Sequence, residues 1–364
     1  MARLWRYSRS RVVQKSAARY NSSRPDGANY FTDDRTDFRA DLMTQLPTCH
    51  IINLHLVANF VDFQSFFRVG PRRSPLVWTL HDPNPFTGGC HYYDACRRYN
   101  SGCGACPELG SSVTGDLSRE IWQRKKAAYS FIPDGRLHLV APSRWLADEA
   151  RKSALLGKFP VSVIPYGLDT EVFSPRNRMM AREALDLPRD AKVVLFAAAD
   201  VKDHRKGFTK LTEALAPLPA DSGIHVVALG RNRFSPNIRL PNLSLGFIDN
   251  ERILSLAYSA ADLYVTPTLD DNLPNTVMEA MSCGTPVVGF EVGGVPDMVR
   301  NGVSGFVVPR GDTCALRQAI LSVLDNPALR TEMSQNCRRI AVEEYGIQLQ
   351  AQRYLALYQS ITTN

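Results

Sequence analysis

The sequence predicts an α/β protein with two doubly wound domains, each built on a parallel sheet. The chain has 364 residues, which is long enough for two domains that each bury their own core. Short apolar runs alternate with helix-length segments along both halves, as expected when crossover helices join parallel strands. A polar, proline-broken stretch over 170–191 separates the two series of runs.

The first domain is predicted to cover residues 1–166. Its opening stretch, 1–45, is polar and shows no strong period, so no element is predicted there. Ser143 is a favourable N-cap, and the segment 143–153 that it opens is predicted to be a helix. Apolar runs predict strands at 50–56, 75–81, 136–143 and 159–169.

The second domain is predicted to cover residues 167–345, where strand and helix patterns alternate without a break. The predicted strands are 192–199, 225–230, 243–247, 262–268 and 285–290. The predicted helices are 208–215, 251–260, 275–282 and 313–324, with a last helix from about residue 328 to the C-terminus.

Composition and charge exclude several classes of protein. Apolar residues make up 44% and charged residues 22% of the chain, which is ordinary for a globular protein and argues against a disordered or fibrous one. The net charge of +7 suits an enzyme that handles phosphorylated donors or anionic lipid carriers. The basic residues are dispersed and no stacking motif accompanies them, so we expect no nucleic-acid partner.

The sequence shows no apolar run of membrane-spanning length, and its start lacks the apolar core of a signal peptide. We therefore expect a cytoplasmic protein. The basic stretch 1–19 has two interpretations, a solvated terminus or a peripheral contact with the inner face of a membrane.

Four of the eight cysteines fall within one loop, with the spacing C-x5-C-x6-C-x2-C. In a cytosolic chain such clustering favours a metal site over disulfides, although disulfides and unligated thiols stay open as alternatives. A zinc ion with four protein ligands would be structural, because no coordination position is left for catalysis. The predicted ligands are Cys90, Cys96, Cys103 and Cys106, and His91 could replace one of them.

An acidic loop in the second half leads directly into a predicted helix. Asp271 lies in the loop, and Glu279 lies one turn into the helix. The backbone N–H groups of Leu273, Asn275 and Thr276 lie at the helix N-terminus, which favours phosphate and sugar oxygens. The Glu279 carboxylate could accept two ribose hydroxyls and Asp271 could bind sugar hydroxyls, whereas the alternative is a loop acid followed by a solvated helix residue.

Two adjacent cations, Arg205 and Lys206, follow the strand 192–199 and precede Gly207. A diphosphate leaving group needs positive charge, and without a metal an Arg fork with a Lys point charge supplies it. A solvated basic turn is the alternative, but the acidic loop in the same domain favours a phosphate site. We therefore expect no catalytic metal.

These segments together resemble the retaining GT-B glycosyltransferases of group 1, in particular the branch found in polysaccharide and exopolysaccharide gene clusters. The resemblance covers nearly everything from residue 53 to residue 358. It rests on APSRWLADEARKS, VIPYGLDTEVFSP, RKGF, TPTLDDNLPNTVMEAMSCGTPVVGF and the cysteine loop with its TGGCHY and CGACP elements. It implies two Rossmann-like domains with a cleft between them, and a C-terminal helix, 346–364, that packs back on the first domain.

The resemblance also implies roles for individual residues. Arg205 and Lys206 would bind the diphosphate of a UDP- or GDP-sugar, Glu279 the ribose and Asp271 the transferred sugar, while His81 would face the donor sugar from the first domain. The family usually has glutamate where this chain has Asp271, so the carboxylate is retracted by one methylene. The acceptor would be a saccharide or lipid-linked saccharide, and the reaction a hexosyl transfer of class EC 2.4.

One part of the family pattern is not found in this sequence. Members ordinarily begin with a strand and a glycine-rich turn, whereas the first glycine here is Gly27, in a polar turn. This keeps two alternatives open: a non-catalytic sugar-nucleotide-binding protein with the same body, and a sugar-nucleotide epimerase.

Overall fold

The computed structural model describes residues 16–36, 48–69, 74–232 and 238–362. The chain divides into two compact units. The first unit runs to Ile164 and takes up the chain again from Tyr354, and the second unit runs from Pro165 to Arg353. Residues 1–15, on which most of the predicted membrane contact depends, lie outside the described residues.

The first unit contains a four-stranded parallel sheet in the order β1-β2-β3-β4. Its strands are β1 (Ile52–His55), β2 (Leu76–Thr79), β3 (Leu137–Ala141) and β4 (Val161–Val163), and its helices are α1 (Phe63–Val69), α2 (Leu117–Tyr129) and α3 (Arg144–Lys152). Ser143 caps α3 as predicted, because its side chain accepts a hydrogen bond from the backbone N–H of Leu146.

An aromatic cluster holds the helices of the first unit on its sheet. Trp78 of β2 packs against Phe63 and Phe67 of α1 and against Tyr129 of α2, with ring centroids 5.6–6.0 Å apart. Trp78, Phe63 and Tyr129 are almost completely buried. This packing fixes the start of the long loop that follows β2.

The second unit contains a six-stranded parallel sheet in the order β10-β9-β8-β5-β6-β7. Its strands are β5 (Lys192–Asp200), β6 (Ile224–Arg231), β7 (Asn242–Gly246), β8 (Leu263–Thr266), β9 (Val287–Phe290) and β10 (Gly305–Val308). Its helices are α4 (Arg178–Ala184), α5 (Phe208–Leu215), α6 (Glu251–Ala260), α7 (Asn275–Ser282), α8 (Val295–Met298), α9 (Thr313–Leu324) and α10 (Pro327–Tyr345), followed by α11 (Ile347–Thr362).

The strand order of the second sheet reverses at β5, which pairs with β6 on one side and β8 on the other. Such a switch point opens a crevice outside the carboxyl ends of the two strands, where ligands of doubly wound folds bind. The loops that leave β5 and β8 carry the predicted cations and the predicted acidic loop. The topology therefore brings together two segments that are about 65 residues apart in sequence.

The single helix that the apolar pattern predicts from about residue 328 to the C-terminus is wrong, because the structure has two helices, α10 and α11, with Gly346 between them. The separate C-terminal helix 346–364 that the resemblance implies corresponds to α11. Leu168 lies between the two helices: its N–H donates to Tyr345 O and its carbonyl accepts from Ile347 N. The later part of α11 belongs to the first unit, where Tyr354 contacts Thr79 at 2.9 Å. Among the described residues, no helix is both long and apolar enough to cross a membrane.

Candidate active site

The predicted cations lie in one tight turn at the carboxyl end of β5. The turn His204–Lys206 is a single 3-10 turn, and the Asp203 side chain accepts from the N–H of Arg205 at 3.0 Å. Lys206 N donates to Asp203 O at 2.9 Å. Gly207 ends the turn in a left-handed conformation, with φ 70°. Arg205 and Lys206 are thereby presented together at the switch point.

The acidic loop that follows β8 meets this turn directly. Lys206 Nζ lies 2.5 Å from Asp271 Oδ2, and Arg205 Nη1 lies 3.5 Å from the same oxygen. Arg205 Nη1 also donates to the backbone carbonyl of Asp270 at 2.9 Å. Asp271 is buried, so solvent screens this ion-pair cluster only in part. The structure thus places three predicted site residues in contact with one another.

Backbone contacts fix the two loops relative to each other. Leu269 N donates to Arg205 O at 2.8 Å. A side chain on Gly207 would collide with the backbone, because its Cβ would lie 1.8 Å from Pro267 O. A Cβ on Gly293 would lie 1.6 Å from the carbonyl oxygen of Asp271. Only glycine permits these two approaches, and they hold the loop backbone in place.

The N-terminus of α7 lies directly after the acidic loop. Pro274 occupies the N-cap position of this helix, and its side chain has no hydrogen-bond acceptor. The first-turn N–H groups, which include those of Asn275 and Thr276, therefore receive no side-chain cap from it. The side chain of Leu273 is buried in the core of the second unit. The donor-binding role predicted for Leu273 therefore belongs to its backbone N–H group. These donors add to the positive potential of the turn.

Glu279 lies on the second turn of α7, and the phenol of Tyr258 holds its carboxylate in place. Tyr258 OH donates to Glu279 Oε2 at 2.7 Å. Burial raises the pKa of Glu279, and the hydrogen bond from Tyr258 acts in the opposite direction. Burial also raises the pKa of Tyr264, and the charges of Glu279 and Asp271 act in the same direction. Both predicted carboxylates therefore act on one buried phenol.

Tyr258 is the residue of this site that the sequence does not predict. It lies on α6 within an ordinary apolar pattern and is fully buried, so its sequence signal is that of a core residue. Only the packing of α6 against α7 shows that its hydroxyl meets Glu279.

In the first unit, His81 follows β2 and lies beside a second histidine. His81 Nε2 is 2.9 Å from Nδ1 of His55, the last residue of β1. The two imidazoles meet because β1 and β2 are parallel neighbours and both residues lie at the carboxyl ends. Burial lowers the pKa of both side chains, which favours two neutral rings. The sequence does not predict His55.

A buried polar network lies next to His81. Asp82 Oδ2 is 2.8 Å from His91 Nδ1, and His91 Nε2 is 3.0 Å from Thr32 Oγ1. Asp82 also accepts from Asn84 N at 2.8 Å, so it organises its own loop. His81, Asp82, Asn84 and His91 line a cavity of about 20 Å³. That volume is enough for one water molecule.

The predicted zinc site of the cysteine loop stays a prediction. In the part of the chain that the structure describes, no three His, Cys, Asp or Glu side chains are grouped to hold a metal ion, and the cysteines are free thiols. Cys90, Cys96 and Cys103 pack in or against the core of the first unit, whereas Cys106 belongs to a separate small cluster. Cys103 Sγ accepts from Gly88 N at 3.1 Å. The four thiols nonetheless lie close enough for their charges to act on one another. Burial raises the pKa of Cys90, and the thiols of Cys106 and Cys103 act in the same direction. Burial also raises the pKa of Cys103 and of Cys106, and the thiol of Cys96 acts in the same direction on both.

Residues 191–326 match the family described as glycosyl transferases group 1. The chain is similar to group 1 glycosyltransferases. A D-inositol 3-phosphate glycosyltransferase of Catenulispora acidiphila is 33% identical over 247 residues, which are 61% of this chain and 58% of that relative. The chain thus spans a little over half of that relative's length.

Solved structures show the same fold. Sucrose-phosphate synthase from Thermosynechococcus elongatus has a TM-score of 0.63 at 22% identity, covering 80% of this chain and 69% of that one. Anabaena HepE in complex with UDP-glucose has a TM-score of 0.60 at 19% identity, covering 85% and 79%. The fold is GT-B, with two parallel sheets in Rossmann-like α/β units.

Proposed function

We propose that this chain is a retaining glycosyltransferase that moves a hexose from a nucleotide-diphosphate sugar to a saccharide or lipid-linked saccharide in polysaccharide biosynthesis. The observation that carries the proposal is the meeting of Arg205, Lys206 and Asp271 at the switch point of the second sheet, beside the N-terminus of α7. A nucleotide sugar presents a diphosphate, a ribose and sugar hydroxyls, and this site offers a complement to each.

Each group of the site has a separate task in this proposal. The Arg205 fork and the Lys206 ammonium stabilise the diphosphate as its charge grows during departure of the leaving group. The uncapped N–H groups at the start of α7 add donors in the same direction. Glu279 accepts the ribose hydroxyls, and Asp271 accepts hydroxyls of the transferred sugar. His81, in the first unit, faces the donor sugar in this proposal, a role that rests on the family resemblance alone.

The direct test uses isotope-labelled UDP-glucose, the ligand of HepE, and then a labelled GDP-sugar, each with saccharide and lipid-linked acceptors. Label transferred to an acceptor supports the proposal, and an unchanged anomeric configuration in the product supports retention. Free nucleotide sugar with an altered sugar would instead indicate an epimerase. Binding without turnover would indicate a non-catalytic sugar-nucleotide-binding protein.

A matched pair of lysine variants tests the assignment of the diphosphate site. Lys206→Ala should lose on the order of 2 to 4 kcal/mol of transition-state stabilisation, or roughly 30- to 1000-fold in kcat/KM. Lys210→Ala is the control, because Lys210 lies half-buried on α5, where it pairs with Glu213 at 2.7 Å. It should stay within about twofold of the wild type. Equal activity of the two variants would contradict the assignment.

A further inference from the structure

The cations proposed for the diphosphate already have an anion of the protein's own. Asp271 Oδ2 is 2.5 Å from Lys206 Nζ and 3.5 Å from Arg205 Nη1. A second carboxylate, that of Asp203, lies 3.2 Å from Arg205 Nη2. A diphosphate that enters this site must therefore compete with Asp271 for Lys206.

The backbone around this ion pair is closely packed. Gly207 lies against Pro267 O and Gly293 against Asp271 O, at distances that leave no space for a Cβ. Gly294 N also donates to Asn272 O at 2.6 Å. A rotation of the Asp271 side chain away from Lys206 would relieve the competition without moving this backbone.

The displaced Asp271 carboxylate meets different groups when a nucleotide sugar is bound and when a free nucleoside diphosphate is bound. A nucleotide sugar brings sugar hydroxyls that can donate to Asp271. A free nucleoside diphosphate brings no such hydroxyls, and its terminal phosphate carries more negative charge than the esterified phosphate of the donor. Because Asp271 is buried, repulsion between its carboxylate and that phosphate is only weakly screened.

We propose that Asp271 determines the preference of this site for nucleotide sugar over free nucleoside diphosphate. Its carboxylate neutralises Lys206 in the empty site, transfers to the sugar hydroxyls of a bound donor, and repels the nucleoside diphosphate that remains after transfer. This inference rests on the proposed function, and it adds product release to the part that Asp271 plays.

The test compares the binding of UDP and UDP-glucose to the full chain by isothermal titration calorimetry. Asp271→Asn keeps the size of the side chain and removes its charge, so it should bind UDP about tenfold more tightly than the wild type. Its affinity for UDP-glucose should fall or stay the same, because an amide is a weaker acceptor for hydroxyls. In steady-state assays UDP should become a stronger inhibitor by the same factor.

Glu213→Gln is the control, because it removes an exposed carboxylate of the same unit, paired with Lys210, and leaves the contact of Asp271 with Lys206 intact. It should change UDP affinity by less than about threefold. UDP binding to Asp271→Asn that is no tighter than to the wild type would overturn the inference, and so would equal tightening by Glu213→Gln. Should Asp271→Asn fail to fold, Asp271→Ser removes the same charge and carries the same expectation.

Failure of this inference differs from failure of the proposed function. Wild-type protein that binds neither UDP nor GDP, nor their sugars, contradicts the proposed function itself. Wild-type protein that binds UDP and loses it in Lys206→Ala, while Asp271→Asn gains no affinity, contradicts only the role given to Asp271.

Discussion

Replacing Tyr258 by Phe should weaken nucleotide binding through Glu279 while leaving the fold intact. The change removes one hydroxyl, which donates to Glu279 Oε2 at 2.7 Å from a fully buried ring. A hydrogen bond to a charged group contributes about 1.5 to 3 kcal/mol, and part of this loss will be recovered by rotation of the carboxylate. We therefore expect a loss of about 1 to 2 kcal/mol in binding, or roughly 5- to 30-fold.

The pH dependence gives this prediction its sign. Burial raises the pKa of Glu279, and the Tyr258 hydroxyl opposes that rise. Ribose hydroxyls donate to the ionised carboxylate, so affinity falls as the pH falls through the pKa of Glu279. Removing the hydroxyl raises this pKa further, and the acid limb of the binding curve should move to higher pH in the variant.

The assay is calorimetric titration with UDP and with 2′-deoxy-UDP across a range of pH. The wild type should prefer UDP, and Tyr258→Phe should lose most of this preference because the ribose acceptor is no longer held in place. Tyr345→Phe is the matched control: its hydroxyl donates to Asp297 O at 3.1 Å, in the same unit but away from the site. An unchanged preference and an unchanged acid limb in Tyr258→Phe would refute the reasoning.

Two further predictions concern stability. Asp262→Asn should lower the free energy of unfolding by about 3 to 5 kcal/mol, because it leaves the buried Arg182 guanidinium, 2.7 Å away, without its charge partner. Asp325→Asn, which breaks the exposed pair with Lys192, should cost less than about 1 kcal/mol in the same urea titration, and equal losses would contradict this account. Burial lowers the pKa of Lys125 from 10.5 to about 8, so the unfolded chain binds more protons between those values and stability should rise with pH there. Against Lys125→Met, the wild type should gain up to about 3 kcal/mol over that range, and a pH-independent difference between the two proteins would argue against it.

Much of the fold follows from local pattern. The helices Phe208–Leu215, Glu251–Ala260 and Thr313–Leu324 have the bounds that their apolar periods predict. By contrast, β10 was not predicted, because the run Gly305–Val308 is short and its pairing with β9 is a non-local property. The apolar pattern does not show the break at Gly346, which only the resemblance implies. Leu168, distant in sequence, forms hydrogen bonds with the residues on both sides of that break.

The sequence predicts which residues form the candidate site, but it does not predict which of them contact one another. Arg205, Lys206 and Asp271 were predicted to serve the same domain, but strand order decides that they touch, and no residue in either loop encodes strand order. Tyr258 was not predicted because its position in the sequence has the apolar pattern of an ordinary core residue. The hydrogen bond from its hydroxyl to the Glu279 carboxylate is visible only in the structure. The cysteine spacing predicts a shared zinc site, and this stays a prediction: three of the thiols pack in or against one core and Cys106 lies in a second cluster.

The two glycine contacts divide this site into a part that tolerates change and a part that does not. Gly207 and Gly293 each press on a carbonyl of the acidic loop, so a side chain at either position would displace the whole loop. The side chains of Asp271 and Asn272 project from the backbone between these contacts, and because both are buried, their replacements must fit the same space. Attempts to change the donor that we propose for this site should therefore vary the loop side chains and keep both glycines.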